Sequence, residues 1–131
     1  MKSRNVLILG DYDNTNFVNM LSGIGLIPFV HRCIRDIIDE LQQKEYAALI
    51  IDLRHQSIDI LELILNVWTF EKQTPVVVLG RISNEVVRKS LTSQKHTTII
   101  EECEDHVLAT RIVRILMGLA ENREGHCIRF V

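Results

Sequence analysis

Short β-branched runs alternate along this chain with segments whose apolar residues recur at helical spacing. Val6-Leu7-Ile8-Leu9 reads as a buried strand ended by Gly10-Asp11. Phe17, Met20, Leu21 and Ile24 then fall at i, i+3, i+4 and i+7, a helix stripe with Asp13 or Asn14 placed to cap it and Gly23 and Gly25 to end it. Ile27-Pro28-Phe29-Val30-His31 is a second strand, and Ile34, Ile37, Ile38 and Leu41 form a second stripe. Tyr46 to Ile51 is a third strand, ended by Asp52 and followed by a stripe of Leu61, Ile64, Leu65 and Trp68. Val76 to Leu79 is a fourth strand, ended by Gly80. Val86, Val87 and Leu91 mark a shorter helix that Ser83 is placed to cap. Thr97 to Ile100 is the fifth strand. Asp105 caps a last helix with the stripe Leu108, Ile112, Ile115 and Leu119.

Strict alternation of this kind implies a parallel sheet with helices on both faces. Strands one, three and four are wholly apolar and belong in the centre. Strands two and five carry Pro28, His31, Thr97 and Thr98 and belong at the edges, where a missing proline donor does no harm. The order 2-1-3-4-5 satisfies both conditions: an α/β, flavodoxin-like, doubly wound five-stranded sheet in three αβα layers. The 131 residues fit one domain, with a core over about residues 1–122 and 123–131 as a tail or the start of a linker. That tail is apolar at Cys127, Ile128, Phe130 and Val131, which suits an added edge strand, a docking segment or a linker start.

Composition narrows the function. Fifteen basic against seventeen acidic residues leave a net charge of −2, unlike a dedicated nucleic-acid binder. No apolar run is long enough to span a membrane, and the apolar run after Arg4 is too short for a signal peptide, so a cytoplasmic location is expected. Cys33, Cys103 and Cys127 are odd in number and far apart, as free structural thiols are. Cys103 stands among Glu101, Glu102 and Glu104, a field that disfavours a thiolate. None of the five histidines has metal-ligand spacing; His55 alone stands near the candidate site.

Ligands of such sheets gather at the carboxyl ends of the strands, at the switch in strand order. Asp11 and Asp13 follow strand one there, Asp52 follows strand three, Gly80 and Arg81 strand four, and Glu101 and Glu102 strand five. Crowded carboxylates favour a hard cation such as Mg²⁺; the alternative is loop acids that solvate the rim and cap helices. The loop Asp11 to Asn16 has one threonine and no glycine, which argues against a flavin phosphate site.

At this point the residues resemble response-regulator receiver (CheY-like) domains over nearly the whole length. The closest stretch is Ala48 to Leu63, in which Asp52, Asp59 and Leu61-Glu62-Leu63 match the family's spacing without a gap; Pro75 to Leu79 is similar to its fourth strand. The resemblance implies that Asp52 is the candidate phospho-acceptor. Asp11, Asp52, Asp13 and the backbone carbonyl of Arg54 are the implied Mg²⁺ ligands.

The departures are specific. One of the two acids expected after strand one is Gly10. Gly80 stands where the family has Thr or Ser. Glu102, or Glu101 with a one-residue shift, stands where it has Lys. A carboxylate there repels a phosphoryl group by about 4 kcal/mol at ~4 Å and an effective dielectric of ~20.

Three readings follow. The first is a pseudo-receiver: a non-enzymatic signalling domain that binds a protein partner, a histidine kinase or a downstream regulator. It would dimerise through the face of the fourth helix, fifth strand and fifth helix, where Arg88, Lys89, Lys95, Arg111 and Arg114 stand with Glu101, Glu102, Glu104 and Asp105. The second is a conventional phospho-acceptor of a phosphorelay. The third is a small flavodoxin-like ligand or cofactor carrier. Under the first, Asp52 is a strand-end acid pairing with Arg54 or Arg81, and Arg81 is a further candidate to neutralise an anion or bridge Asp52 and Asp11.

Overall fold

The computed structural model describes residues 4–10, 16–54, 60, 62–63, 74–93, 96–101, 104–116 and 127–128. In chain order these form β1 (Asn5–Leu9), α1 (Asn16–Gly23), β2 (Ile27–His31), α2 (Ile34–Gln43), β3 (Ala48–Asp52), β4 (Val76–Leu79), α3 (Glu85–Thr92), β5 (Thr97–Ile100), α4 (Asp105–Leu116) and β6 (Cys127–Ile128). Ile60, Glu62 and Leu63 are helical, between β3 and β4. Leu61, Ile64, Leu65 and Trp68, the stripe read there, lie outside the described residues.

All strand pairs are parallel. The order is β2-β1-β3-β4-β5-β6, so the predicted 2-1-3-4-5 sheet is present with one strand added. β2 is the expected edge strand, with exposed Ile27, Phe29 and Val30. β5 is not an edge, because Cys127 pairs with Ile99 and Ile128 with Ile100. The rest of the tail, residues 123–126 and 129–131, lies outside the described residues.

Alternate residues of each strand supply opposite faces, as a period of two requires. Leu7, Leu9, Leu49, Ile51, Val76, Val78 and Ile99 face Ile37 and Leu41 of α2, Leu63 and Leu91 of α3. Val6, Ile8, Ala48, Ile50, Val77, Leu79 and Ile100 face Phe17 and Leu21 of α1 and Leu108, Ala109 and Ile112 of α4. Strands β3 and β4 are buried along their whole length, which is why their sequences read as continuous apolar runs.

Three boundaries differ from the pattern. Asn84, not Ser83, caps α3: its Oδ1 accepts from the backbone N–H of Val86 at 2.9 Å and of Val87 at 3.2 Å. Asp105 is the first helical residue of α4 rather than its cap, since Leu108 N–H already donates to Glu104 C=O. β3 starts at Ala48 and ends on Asp52, leaving Tyr46 buried but outside the strand. Among the described residues, no helix is long and apolar enough to cross a membrane.

Candidate functional site

The parallel register places Asp52 opposite Leu79, and Leu79 opposite Ile100. Paired residues of neighbouring strands point to the same face, so Asp52 turns to the side of the sheet covered by α1 and α4. It is 3% exposed there. A carboxylate so buried must be paired or heavily hydrogen-bonded.

Arg54 supplies that pairing. Its backbone N–H donates to Asp52 Oδ1 at 2.9 Å, its Nε to the same oxygen at 3.0 Å, and its Nη2 to Oδ2 at 2.9 Å. The backbone bond from i+2 to an aspartate is the local turn this side chain favours. It folds the chain back after β3 and brings the guanidinium alongside the carboxylate, where two parallel N–H donors match its two oxygens. The guanidinium also lies over the Phe17 ring, 5.4 Å from its centroid. The Asp52–Arg54 contact is therefore gripped by α1 as well as by β3.

Of the two partners that the sequence offered to Asp52, the structure shows Arg54. Arg81 is exposed on the segment after β4. Arg54, whose backbone carbonyl was the expected metal ligand, sets its guanidinium against the acid. Both oxygens of Asp52 accept N–H bonds from Arg54. Among the described residues, no group of three or more His, Cys, Asp or Glu is placed to hold a metal ion. Asp11, Asp13, His55 and Glu102 lie outside the described residues.

The next row of the sheet is Leu53, Gly80 and Glu101. Leu53 N–H donates to Leu79 C=O and Gly80 N–H to Ile100 C=O, continuing the ladders. Gly80 has φ +116°, and a Cβ built on it would lie 3.2 Å from Leu53 Cβ and 3.3 Å from the Leu53 carbonyl carbon. A hydroxyl-bearing residue at this position would be strained as well as crowded. Row by row, it is Glu101 that stands beside Gly80. Glu101 is buried and forms an ion pair with Arg88 of α3. Two charges that the sequence assigned to an exposed face are thus turned inward onto each other.

A second polar cluster was not anticipated. Tyr46 OH donates to Glu40 Oε2 at 2.7 Å, Lys44 Nζ lies 3.2 Å from the same oxygen, and His31 Nε2 is 3.8 Å from Oε1. The Tyr46 and Lys44 hydrogen bonds hold the Glu40 carboxyl below its usual range, and burial followed by Glu40 pushes the Tyr46 phenol up. The i, i+4 pair Glu40–Lys44 was the only signal available in the sequence; Tyr46 and His31 come from other elements.

No protein-family model matches the chain, and no curated protein matches it. Solved structures do. The signal receiver domain of a signal transduction histidine kinase from Syntrophus aciditrophicus is 22% identical, covers 90% of this chain and 93% of its own, and has a TM-score of 0.70. The apo receiver domain of nitrogen regulatory protein C is 19% identical over 91% and 99%, with a TM-score of 0.72. The receiver domain of a sensor histidine kinase from Pseudomonas aeruginosa PAO1, with a magnesium ion in its active-site cleft, is 15% identical over 88% and 98%, with a TM-score of 0.69. With five parallel strands in the order 2-1-3-4-5 and these neighbours, the chain has the flavodoxin-like fold of response-regulator receiver domains.

Proposed function

We propose that this chain is a pseudo-receiver: a signalling domain that acts by binding a protein partner and is not switched by conventional phosphorylation of Asp52. One observation carries the reading. The carboxylate in the phospho-acceptor position is buried and closed onto its own Arg54 through both oxygens. A nucleophilic carboxylate needs an open oxygen and a cation to neutralise the incoming phosphoryl group. Here the cation is a fixed side chain already bonded to the nucleophile.

Gly80 and Glu101 support the reading, because neither supplies a hydroxyl or a positive charge to a phosphoryl group. The domain has no reaction of its own in this reading. Its partner is a histidine kinase or a downstream regulator, and its location is cytoplasmic.

The test is intact-mass spectrometry after incubation with Mg²⁺ and acetyl phosphate, with Asp52→Asn and a working receiver as controls. No mass gain in the folded chain is expected. A gain of one phosphoryl group that disappears in Asp52→Asn would overturn the proposal.

A further inference from the structure

Among the described residues β2 pairs with β1 alone and ends the sheet. Ile27 N–H donates to Arg4 C=O at 2.8 Å and Gly10 N–H to His31 C=O at 3.0 Å. Ile27, Phe29 and His31 thus turn their peptide groups inward to β1, and Pro28 and Val30 turn theirs outward. Proline brings no N–H to that edge. The outward groups are the carbonyls of Pro28 and Val30 and the N–H of Val30.

The side chains along this edge are apolar on both faces. Ile27 and Phe29 share the face of Leu7 and α2, and Phe29 meets Tyr46 edge-on at 6.0 Å. Val30 shares the face of Ile8 and α1. Ile24, Ile27, Phe29 and Val30 are four of the six large apolar side chains exposed among the described residues. A strand laid along β2 would cover apolar groups on both faces at once.

Charge says what kind of strand fits. Asn16 to His31 contains no Asp, Glu, Lys or Arg, and arginines stand at both ends of β2: Arg4 beside Ile27, and Arg32 after His31. Arg35 follows in the first turn of α2. Arg4, Arg32 and Arg35 outnumber Asp36 and Asp39, while Glu40 is matched by Lys44. This edge is therefore cationic in a chain whose net charge is −2, and it favours carboxylates in whatever lies along it. The same charges disfavour a second copy. Two-fold pairing about Val30 would set Arg32 of each chain opposite Pro28 of the other, toward its Arg4.

We propose that the outer edge of β2 docks an extended segment of a partner protein, apolar through its middle and acidic at its ends. The segment adds a strand to the sheet by bonding to Val30 N–H, Val30 C=O and Pro28 C=O. Pro28, with no donor, limits where those bonds form. The arginines select the segment by its charge. Asp52 stands two strands away on β3, and the proposal does not depend on whether it is ever phosphorylated.

The test uses the full ¹⁵N-labelled chain and a synthetic peptide of five valine and threonine residues, the length of β2, between two glutamates. A second peptide carries lysines in place of the glutamates. Amide exchange and chemical shifts along β2 are followed by NMR with peptide up to about 1 mM. The glutamate peptide should slow exchange at Val30 at least about threefold and leave Ile27 unchanged. The lysine peptide should have no effect, and Arg32→Glu should reverse the preference. Val30→Pro removes the outward N–H and keeps the inward bonds of its neighbours, so it should abolish the response in a folded chain. A response that survives Val30→Pro overturns the edge as the docking site. No change at Val30 with either peptide, or an equal response to both, overturns the proposal. So does protection of Val30 that grows with protein concentration in the absence of peptide, which would identify a second copy as the occupant.

Discussion

Arg54→Ala tests the central feature of the site. Asp52 is 3% exposed, and the Arg54 side chain is 22% exposed on its side-chain surface. Truncation removes the Nε and Nη2 donors at 3.0 and 2.9 Å and leaves the backbone N–H bond to Oδ1 in place. Removing one partner of a buried pair costs about 3–5 kcal/mol, because a charge is left without its counter-ion. Arg54 is partly open to water, so the space it vacates hydrates, and the lower end of that range applies. Loss of the guanidinium from the Phe17 ring adds about 0.5–1 kcal/mol.

The expected loss is therefore about 3.5–4 kcal/mol, a large share of the ~5–15 kcal/mol that holds a domain folded. Urea denaturation should show it as a midpoint lowered by roughly 1–4 M at unchanged slope, given a slope of about 1–3 kcal/mol per M. The double variant Asp52→Asn/Arg54→Ala sharpens the test. Without the stranded charge, its loss should be smaller than the sum of the single losses by at least about 1 kcal/mol. A loss below about 0.5 kcal/mol for Arg54→Ala, or simple additivity, would refute the claim that the two groups form one buried unit.

Three further outcomes follow from the geometry. Gly80→Thr, which restores the residue type usual in receiver domains, should lower the melting temperature by roughly 5–10 °C, since φ +116° and the contact with Leu53 cost about 1–3 kcal/mol; an unchanged melting curve would contradict that strain. Arg88→Ala should cost about 2–4 kcal/mol in chemical denaturation by removing an ion-pair partner of buried Glu101, and Glu101→Gln should cost less; equal costs would show that the charge of Glu101 is not what Arg88 compensates. Tyr46→Phe should be destabilising mainly between about pH 5 and pH 10. Glu40, held below its ordinary value of 4.5, contributes fully above that value and loses its contribution as pH falls below it. Tyr46, raised above its ordinary value of 10.0, loses its own only as pH rises beyond it. Denaturation midpoints of both proteins across pH test this, and a difference that does not shrink in acid would contradict it.

What was legible in the sequence was whatever depends on periodicity. Val6–Leu9, Val76–Leu79 and most of Ala48–Asp52 are apolar at every position because both faces of the central strands are covered. Polar residues in Ile27–His31 and Thr97–Ile100 placed those strands outside them, and the 2-1-3-4-5 order followed. The tail was readable only as one of several options, because two residues carry no period. Asp52 was legible as the strand-end acid, and Arg54 as one of its two potential partners.

How Arg54 meets Asp52 required the turn after β3, the hydrogen bond from Arg54 N–H and the ring of Phe17, which comes from a different element. The same holds for Arg88 and Glu101, brought together only when α3 packs against the end of β5, and for Tyr46, which reaches Glu40 from outside any strand. Hydrophobic patterning by itself determined the strands and their order, since burial acts on each residue according to its place in the period. Only the tertiary structure decided which charges meet, because an ion pair depends on two side chains from separate elements arriving at one point, and no local pattern encodes that distance.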